Sequence, residues 1–195
     1  MTQPHDFRQT IRQVVDVLDR FGIDYALGGS LASSLHGVSR STVDADLSVE
    51  PFPGREAEFS RSFGPEYYIS PDAVRQAVRD RGSFNIIETT TGNKVDVFIR
   101  KDRPFEQSVM RRRRAFTPEE PDALPIYVVS AEDIILLKLE WYRLGEEVSE
   151  RQWLDVLGVM RTQAGRLDEG YLDRWAADLG LADLLGRARG DASAP

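Results

Sequence analysis

The sequence predicts an α+β fold: a mixed β-sheet with flanking helices, followed by a C-terminal helical domain. Three observations carry that expectation. Short runs rich in apolar residues at Ile23–Leu27, Ala45–Val49, Ser83–Thr89 and Lys94–Ile99 read as strands. Helix signals alternate with them, beginning with Phe7, Ile11, Val14, Val15, Leu18 and Phe21, which recur at helical spacing. From Ser130 onward the signals are helical throughout. A Pro- and Glu-rich stretch, 115–125, reads as the linker, so the expected domains are 1–125 and 126–195.

Taken in order, residues 7–21 form an amphipathic helix closed by Gly22. Ile23–Leu27 then enters Gly28-Gly29-Ser30 as a strand, Ser30–Leu35 follows as a short helix, and Ala45–Val49 is the second strand, stopped by Pro51 and Pro53. Helices are expected at 54–63 and 71–80, the latter with Pro71 in its first turn, and Tyr67–Ile69 reads as a short strand. Thr91-Gly92-Asn93 supplies turn chemistry between Ser83–Thr89 and Lys94–Ile99, which makes a β-hairpin. Arg103–Met110 reads as a helix and Ile126–Val129 as a last strand. Ser130-x-x-Asp133 and Ser149-x-x-Gln152 resemble capping boxes. Leu167–Leu179 and Leu181–Arg189 complete the helical tail, with Gly190–Pro195 expected to fray.

At 195 residues the chain can bury a real core, and 41% hydrophobic with 29% charged residues is a globular composition. No apolar run approaches the roughly 20 residues that span a bilayer, and Met1–Gln9 lacks the apolar core of a signal peptide. The expected location is the cytoplasm, with no membrane partner. Without cysteine, and with only His5 and His36, thiolate and histidine zinc sites are disfavoured. A bound metal would rest on carboxylates, which points to Mg2+ or Mn2+. A net charge of −7 argues against a protein that coats DNA or RNA.

Gly28 and Gly29 lack a Cβ, so at a strand-to-helix turn their backbone N–H groups can approach a phosphate, with the Ser30 hydroxyl as a further donor. The same triplet also reads as an ordinary tight turn with Ser30 as helix N-cap. Asp44 and Asp46 stand two apart on a strand, which sends both side chains to one face. They are either a solvated strand face or a pair that needs a cation between them. Asp96 interrupts the core-facing run Lys94–Ile99, and if its strand lies beside Ala45–Val49 the three carboxylates converge. Such a triad suits two-metal catalysis, with two aspartates holding both ions and the third helping to activate a hydroxyl.

These residues resemble the signature of the nucleotidyltransferase (DNA polymerase β-like) superfamily: Gly29-Ser30, then Asp44-Ala-Asp46-Leu, then Val95-Asp96-Val. Leu35-His36-Gly37 followed by Arg40-x-Thr42-x-Asp44-x-Asp46 is similar to the AbiEii-like branch found in toxin–antitoxin systems. The resemblance covers residues 25–99. It implies a nucleotidyltransferase-like sheet, Mg2+ or Mn2+ held by Asp44, Asp46 and Asp96, and a nucleoside triphosphate such as ATP as substrate. Gly28, Gly29, Ser30 and Arg40 would bind the nucleotide. The implied reaction moves a nucleoside monophosphate to an acceptor hydroxyl and releases pyrophosphate.

In that branch the helical part contributes a lysine and an aspartate. Lys138 lies among Ile134, Ile135, Trp141 and Tyr142 on an apolar stripe, so it either snorkels outward or turns its ammonium into a cleft; the resemblance implies triphosphate binding. Asp155 is able to pair with Lys138, with Arg151, or with water. The acceptor implied by the resemblance is RNA, tRNA in particular. A partner protein, as in antitoxins that attach AMP to a cognate toxin, and a small molecule such as an aminoglycoside are the alternatives. A degenerate fold that only binds is the non-enzymatic one. Arg111–Arg114, with Arg100, Lys101 and Arg103, reads as an RNA or triphosphate contact or as a turn paired with Glu119, Glu120 and Asp122. Trp141, Trp153 and Trp175 are expected in the core, and His36 at a helix end as a structural residue.

Overall fold

The first helix, α1 (Phe7–Arg20), turns Val14, Val15 and Leu18 inward, each fully buried, and ends at Gly22 with φ +58°. Glycine adopts that left-handed backbone without the Cβ clash other residues meet. The computed structural model describes residues 7–117 and 125–193, and within them the chain divides into two compact units. One unit contains residues up to 27 and 42–128; the other contains 28–41 and 129 onward. The expected first domain, 1–125, includes 28–41, whereas the contacts of the chain group that segment with 129 onward. The helix formed by that segment instead packs with the C-terminal helices.

Among the described residues the first unit carries one seven-stranded sheet. Its strands are β1 (Tyr25–Leu27), β2 (Asp44–Val49), β3 (Tyr67–Tyr68), β4 (Ser83–Glu88), β5 (Lys94–Ile99), β6 (Arg114–Phe116) and β7 (Ile126–Val128). Their order is β3-β4-β5-β2-β1-β7-β6. β2 runs parallel to β5 and antiparallel to β1, so the sheet is mixed, as expected. The helices α3 (Glu56–Arg61), α4 (Pro71–Asp80) and α5 (Pro104–Arg112) complete this unit. Ser70 caps α4 by accepting the Ala73 N–H at 3.3 Å, with Pro71 in the first turn where no N–H is required. On β2 and β5, Ala45, Leu47, Val49, Val95, Val97 and Ile99 alternate into the core, at most 2% exposed.

The stretch read as a linker begins with a strand: β6 pairs antiparallel with β7, Ala115 opposite Tyr127. Three edge residues, all exposed, leave no apolar alternation to recognise. Residues 118–124 of that stretch lie outside the described residues.

The second unit is helical: α2 (Gly29–His36), α6 (Ala131–Leu144), α7 (Glu150–Thr162), α8 (Glu169–Asp178) and α9 (Ala182–Ser193). Ser130, Ser149 and Asp168 cap α6, α7 and α8, each accepting the backbone N–H three residues on. Its core joins Ile134, Ile135, Leu136, Leu139, Val156, Leu172 and Leu185. The end of α2 lies close against α7: a Cβ on Gly37 would come within 2.7 Å of the Val159 nitrogen. Helix α9 continues to Ser193, past Gly190 where fraying was expected, while residues 194–195 lie outside the described ones. Among the described residues no helix is long and apolar enough to cross a membrane.

Candidate active site

Strand pairing decides the first group of candidates. In the parallel ladder Asp46 stands beside Asp96 and Asp44 beside Lys94. Both strands alternate between buried and partly exposed residues, so Asp44, Asp46, Lys94 and Asp96 share the face opposite the core. The antiparallel partner β4 adds exposed Asn85 beside Asp96. The Lys94 Nζ lies 2.9 Å from Asp96 Oδ2 and 3.7 Å from Asp44 Oδ1. The bond to Asp96 holds the Lys94 ammonium above its usual pKa against partial burial, and the charges of Asp96, Asp44 and Asp46 add to that effect.

Strand register thus gives the three carboxylates a shared face, with a lysine among them. In this arrangement no group of three metal-binding side chains is poised to hold an ion among the described residues. The donor chemistry does fit a hard divalent cation: carboxylate oxygens on one open face, with an ammonium where a cation is electrostatically wanted. Lys94 is the residue sequence reasoning passed over. Its signal was there, since a residue two before Asp96 on a strand must share its face.

The helical unit holds the second group. Asp155 on α7 accepts Arg40 Nε at 2.8 Å on one oxygen, and on the other a second Arg40 nitrogen and Lys138 Nζ, both at 2.8 Å. Arg40 thus grips the carboxylate with both arms of its fork and also donates to Ser30 Oγ at 2.5 Å. Lys138 and Asp155 side chains are each 7% exposed, and that of Arg40 24%. Lys138 accordingly turns inward and does not snorkel. Burial pushes the Asp155 carboxyl up, yet the bonds from Arg40 and Lys138, helped by both charges, outweigh it and hold the group below the usual carboxylate value. The Arg40 guanidinium is raised by the same bond.

Ser30 is not the N-cap: Gly28 takes that position without a side-chain cap, and Ser30 lies in the first turn of α2, where its hydroxyl meets Arg40. Gly29 opens the helix with φ +56°, a backbone only glycine adopts freely. His36 sits where a structural residue was expected, its Nε2–H donating to the Val129 carbonyl at 2.7 Å.

No protein-family model matches the chain, and no curated protein matches it significantly. Solved structures do. The crystal structure of ANT(2'')-Ia in complex with adenylyl-2''-tobramycin is similar with a TM-score of 0.51 at 19% identity, over 88% of this chain and 95% of that one. A nucleotidyltransferase-like protein from Paracoccidioides brasiliensis matches with a TM-score of 0.52 at 18% identity, over 89% of this chain and 90% of that one. The fold is that of a nucleotidyltransferase.

On this nucleotidyltransferase fold three members of the basic cluster, Arg100, Arg103 and Arg113, are paired with nearby groups. Arg113 donates to Asp24 Oδ1 at 2.6 Å and to the Met110 carbonyl at 2.7 Å, with its guanidinium over the Tyr127 ring. Arg100 pairs with Glu50 at 2.5 Å, and Arg103 pairs with Glu106. Glu119, Glu120 and Asp122, the acids expected to pair with this cluster, lie outside the described residues. Trp141 is no core residue: it is 56% exposed on the outer side of α6. The apolar stripe of α6 is broad enough to bury Ile134, Ile135 and Tyr142 without it. Trp153 packs beside Tyr142, with Arg187 3.9 Å above its ring.

Proposed function

We propose that this protein is a divalent-metal-dependent nucleotidyltransferase that transfers a nucleoside monophosphate from a triphosphate to an acceptor hydroxyl. The observation that carries the reading is the common face of Asp44, Asp46 and Asp96 on adjacent parallel strands. On a nucleotidyltransferase fold, those are oxygen donors of the type that Mg2+ or Mn2+ requires. A bound ion would neutralise triphosphate charge and ease deprotonation of the acceptor. Asp44 and Asp46 are assigned to holding it, and Asp96 to holding it or accepting the acceptor proton. The acceptor oxygen attacks the α-phosphorus, the bond to the β-phosphate oxygen breaks, and pyrophosphate leaves.

Ser30, Arg40 and Lys138 are assigned to the phosphates, with Gly28 and Gly29 opening the backbone toward them. Two cations share the single carboxylate of Asp155, so the cluster keeps a positive charge that suits an anionic ligand. Asp155 holds both cations in place.

The finer reading follows the resemblance of Arg40-x-Thr42-x-Asp44-x-Asp46: a toxin–antitoxin component that modifies tRNA. A partner protein and a small molecule remain competing acceptors, the latter favoured by the likeness to a structure holding an adenylyl group joined to tobramycin. The local pairing of Arg100, Arg103 and Arg113 weakens the case for RNA. The test is incubation with each labelled triphosphate, Mg2+ and in turn tRNA, cell proteins and aminoglycosides. Label in one acceptor class, lost in Asp44→Asn, supports the reading and names the acceptor. Absence of transfer, together with absence of Mg2+-dependent thermal stabilisation by any triphosphate, favours a fold that only binds.

A further inference from the structure

Resting on the assignment of Asp44, Asp46 and Asp96 to metal binding, we propose that Lys94 is a built-in counter-cation that competes with the metal ion for these carboxylates. Its ammonium lies 2.9 Å from Asp96 and 3.7 Å from Asp44, and strand register leaves it no other face to occupy. Three carboxylates on one open sheet face repel one another, and one ammonium relieves part of that repulsion. Asp44, Asp46 and Asp96 share their face with Lys94, and among the described residues no three such side chains are grouped to hold an ion. For the ion to enter, Lys94 must release Asp96, and its flexible four-carbon stem, with the side chain 33% exposed, allows it to swing outward. Lys94 thus lowers the affinity of the empty protein for metal alone. An ion arriving on a triphosphate brings phosphate oxygens with which the released ammonium is able to pair. The metal is then favoured together with its nucleotide.

The experiment titrates Mn2+ into the full chain, without and with a non-hydrolysable nucleoside triphosphate, and follows free Mn2+ by electron paramagnetic resonance. Wild type is compared with Lys94→Met and Lys94→Gln, each checked for folding by circular dichroism. The expected result is Mn2+ binding at least about tenfold tighter in both variants without nucleotide, since a unit positive charge a few ångströms from a divalent ion is removed. The gain is expected to shrink when the triphosphate is present. A lysine with a purely structural role predicts lower thermal stability and no gain in Mn2+ affinity. Equal or weaker Mn2+ binding in the folded variants, with transfer still dependent on Asp44, overturns the role of Lys94 alone. No Mn2+ binding in any of the proteins, with transfer intact in Asp44→Asn, overturns the metal assignment itself.

Discussion

Replacing Asp155 by Asn removes the one carboxylate shared by Arg40 and Lys138 and leaves two cations facing an amide. Taking one partner from a buried ion pair costs about 3–5 kcal/mol, because the charge left behind has lost both water and counter-ion. The Lys138 side chain is 7% exposed and meets that condition, whereas Arg40, at 24%, recovers some solvation. The expected loss is therefore about 2–4 kcal/mol, or about 5–15 °C in Tm for a protein of this size. Urea denaturation followed by helical circular dichroism measures it. Lys138→Met should cost less, about 1–2 kcal/mol, since Asp155 keeps both bonds from Arg40 and the methionine suits an apolar stripe. The effect of pH has a definite sign. The carboxyl is held below its ordinary 3.8, so its contribution is complete above that pH and is lost as the pH falls through the lower folded value. The gap between wild type and Asp155→Asn should close there. A loss under about 1 kcal/mol at neutral pH would show that the cluster behaves as a solvated pair, and would refute this reasoning.

Asp46→Asn should lower nucleotide transfer by about a hundredfold or more while leaving the thermal transition near that of wild type, as single-turnover transfer and calorimetry would show. Glu88 accepts the N–H groups of Thr90 and Thr91 and the Thr91 hydroxyl, and that hydroxyl bond above all, against a desolvation that opposes it, lowers its pKa from 4.5 to about 2. Glu88→Gln should therefore be less stable than wild type above pH 4.5, with urea midpoints that converge as the pH falls toward 2. Gly37→Ala sets a methyl 2.7 Å from a backbone nitrogen of α7, which should cost about 1–3 kcal/mol in denaturant titration; an unchanged midpoint would show that the close approach does not constrain the two helices.

Much of the candidate site was legible in one dimension because its determinants are local. A period of two along β2 and β5 places Asp44, Asp46 and Asp96 opposite the apolar residues of their strands whatever else the chain does. The caps at Ser130 and Ser149 follow from bonds spanning three residues. By contrast, Trp141 looked like core, since helical spacing alone does not say how wide a stripe the neighbouring helices cover. β6 was missed because an exposed three-residue edge strand is specified by its partner β7 and not by its own pattern.

The alternation of elements, the face on which each carboxylate lies and the placing of a lysine in an apolar stripe are written in short segments of the chain. Only the tertiary structure decided which strand lies beside which, and so that Lys94 stands with Asp96 and Asp44. It also decided that Asp155 answers Arg40, 115 positions away, together with Lys138, and that 28–41 packs with the C-terminal helices. The physical reason is the same in each case. Periodicity and capping are short-range and act through bonds a few residues long. The choice of counter-ion for a buried charge depends on which distant segments exclude water together, and no local pattern records that.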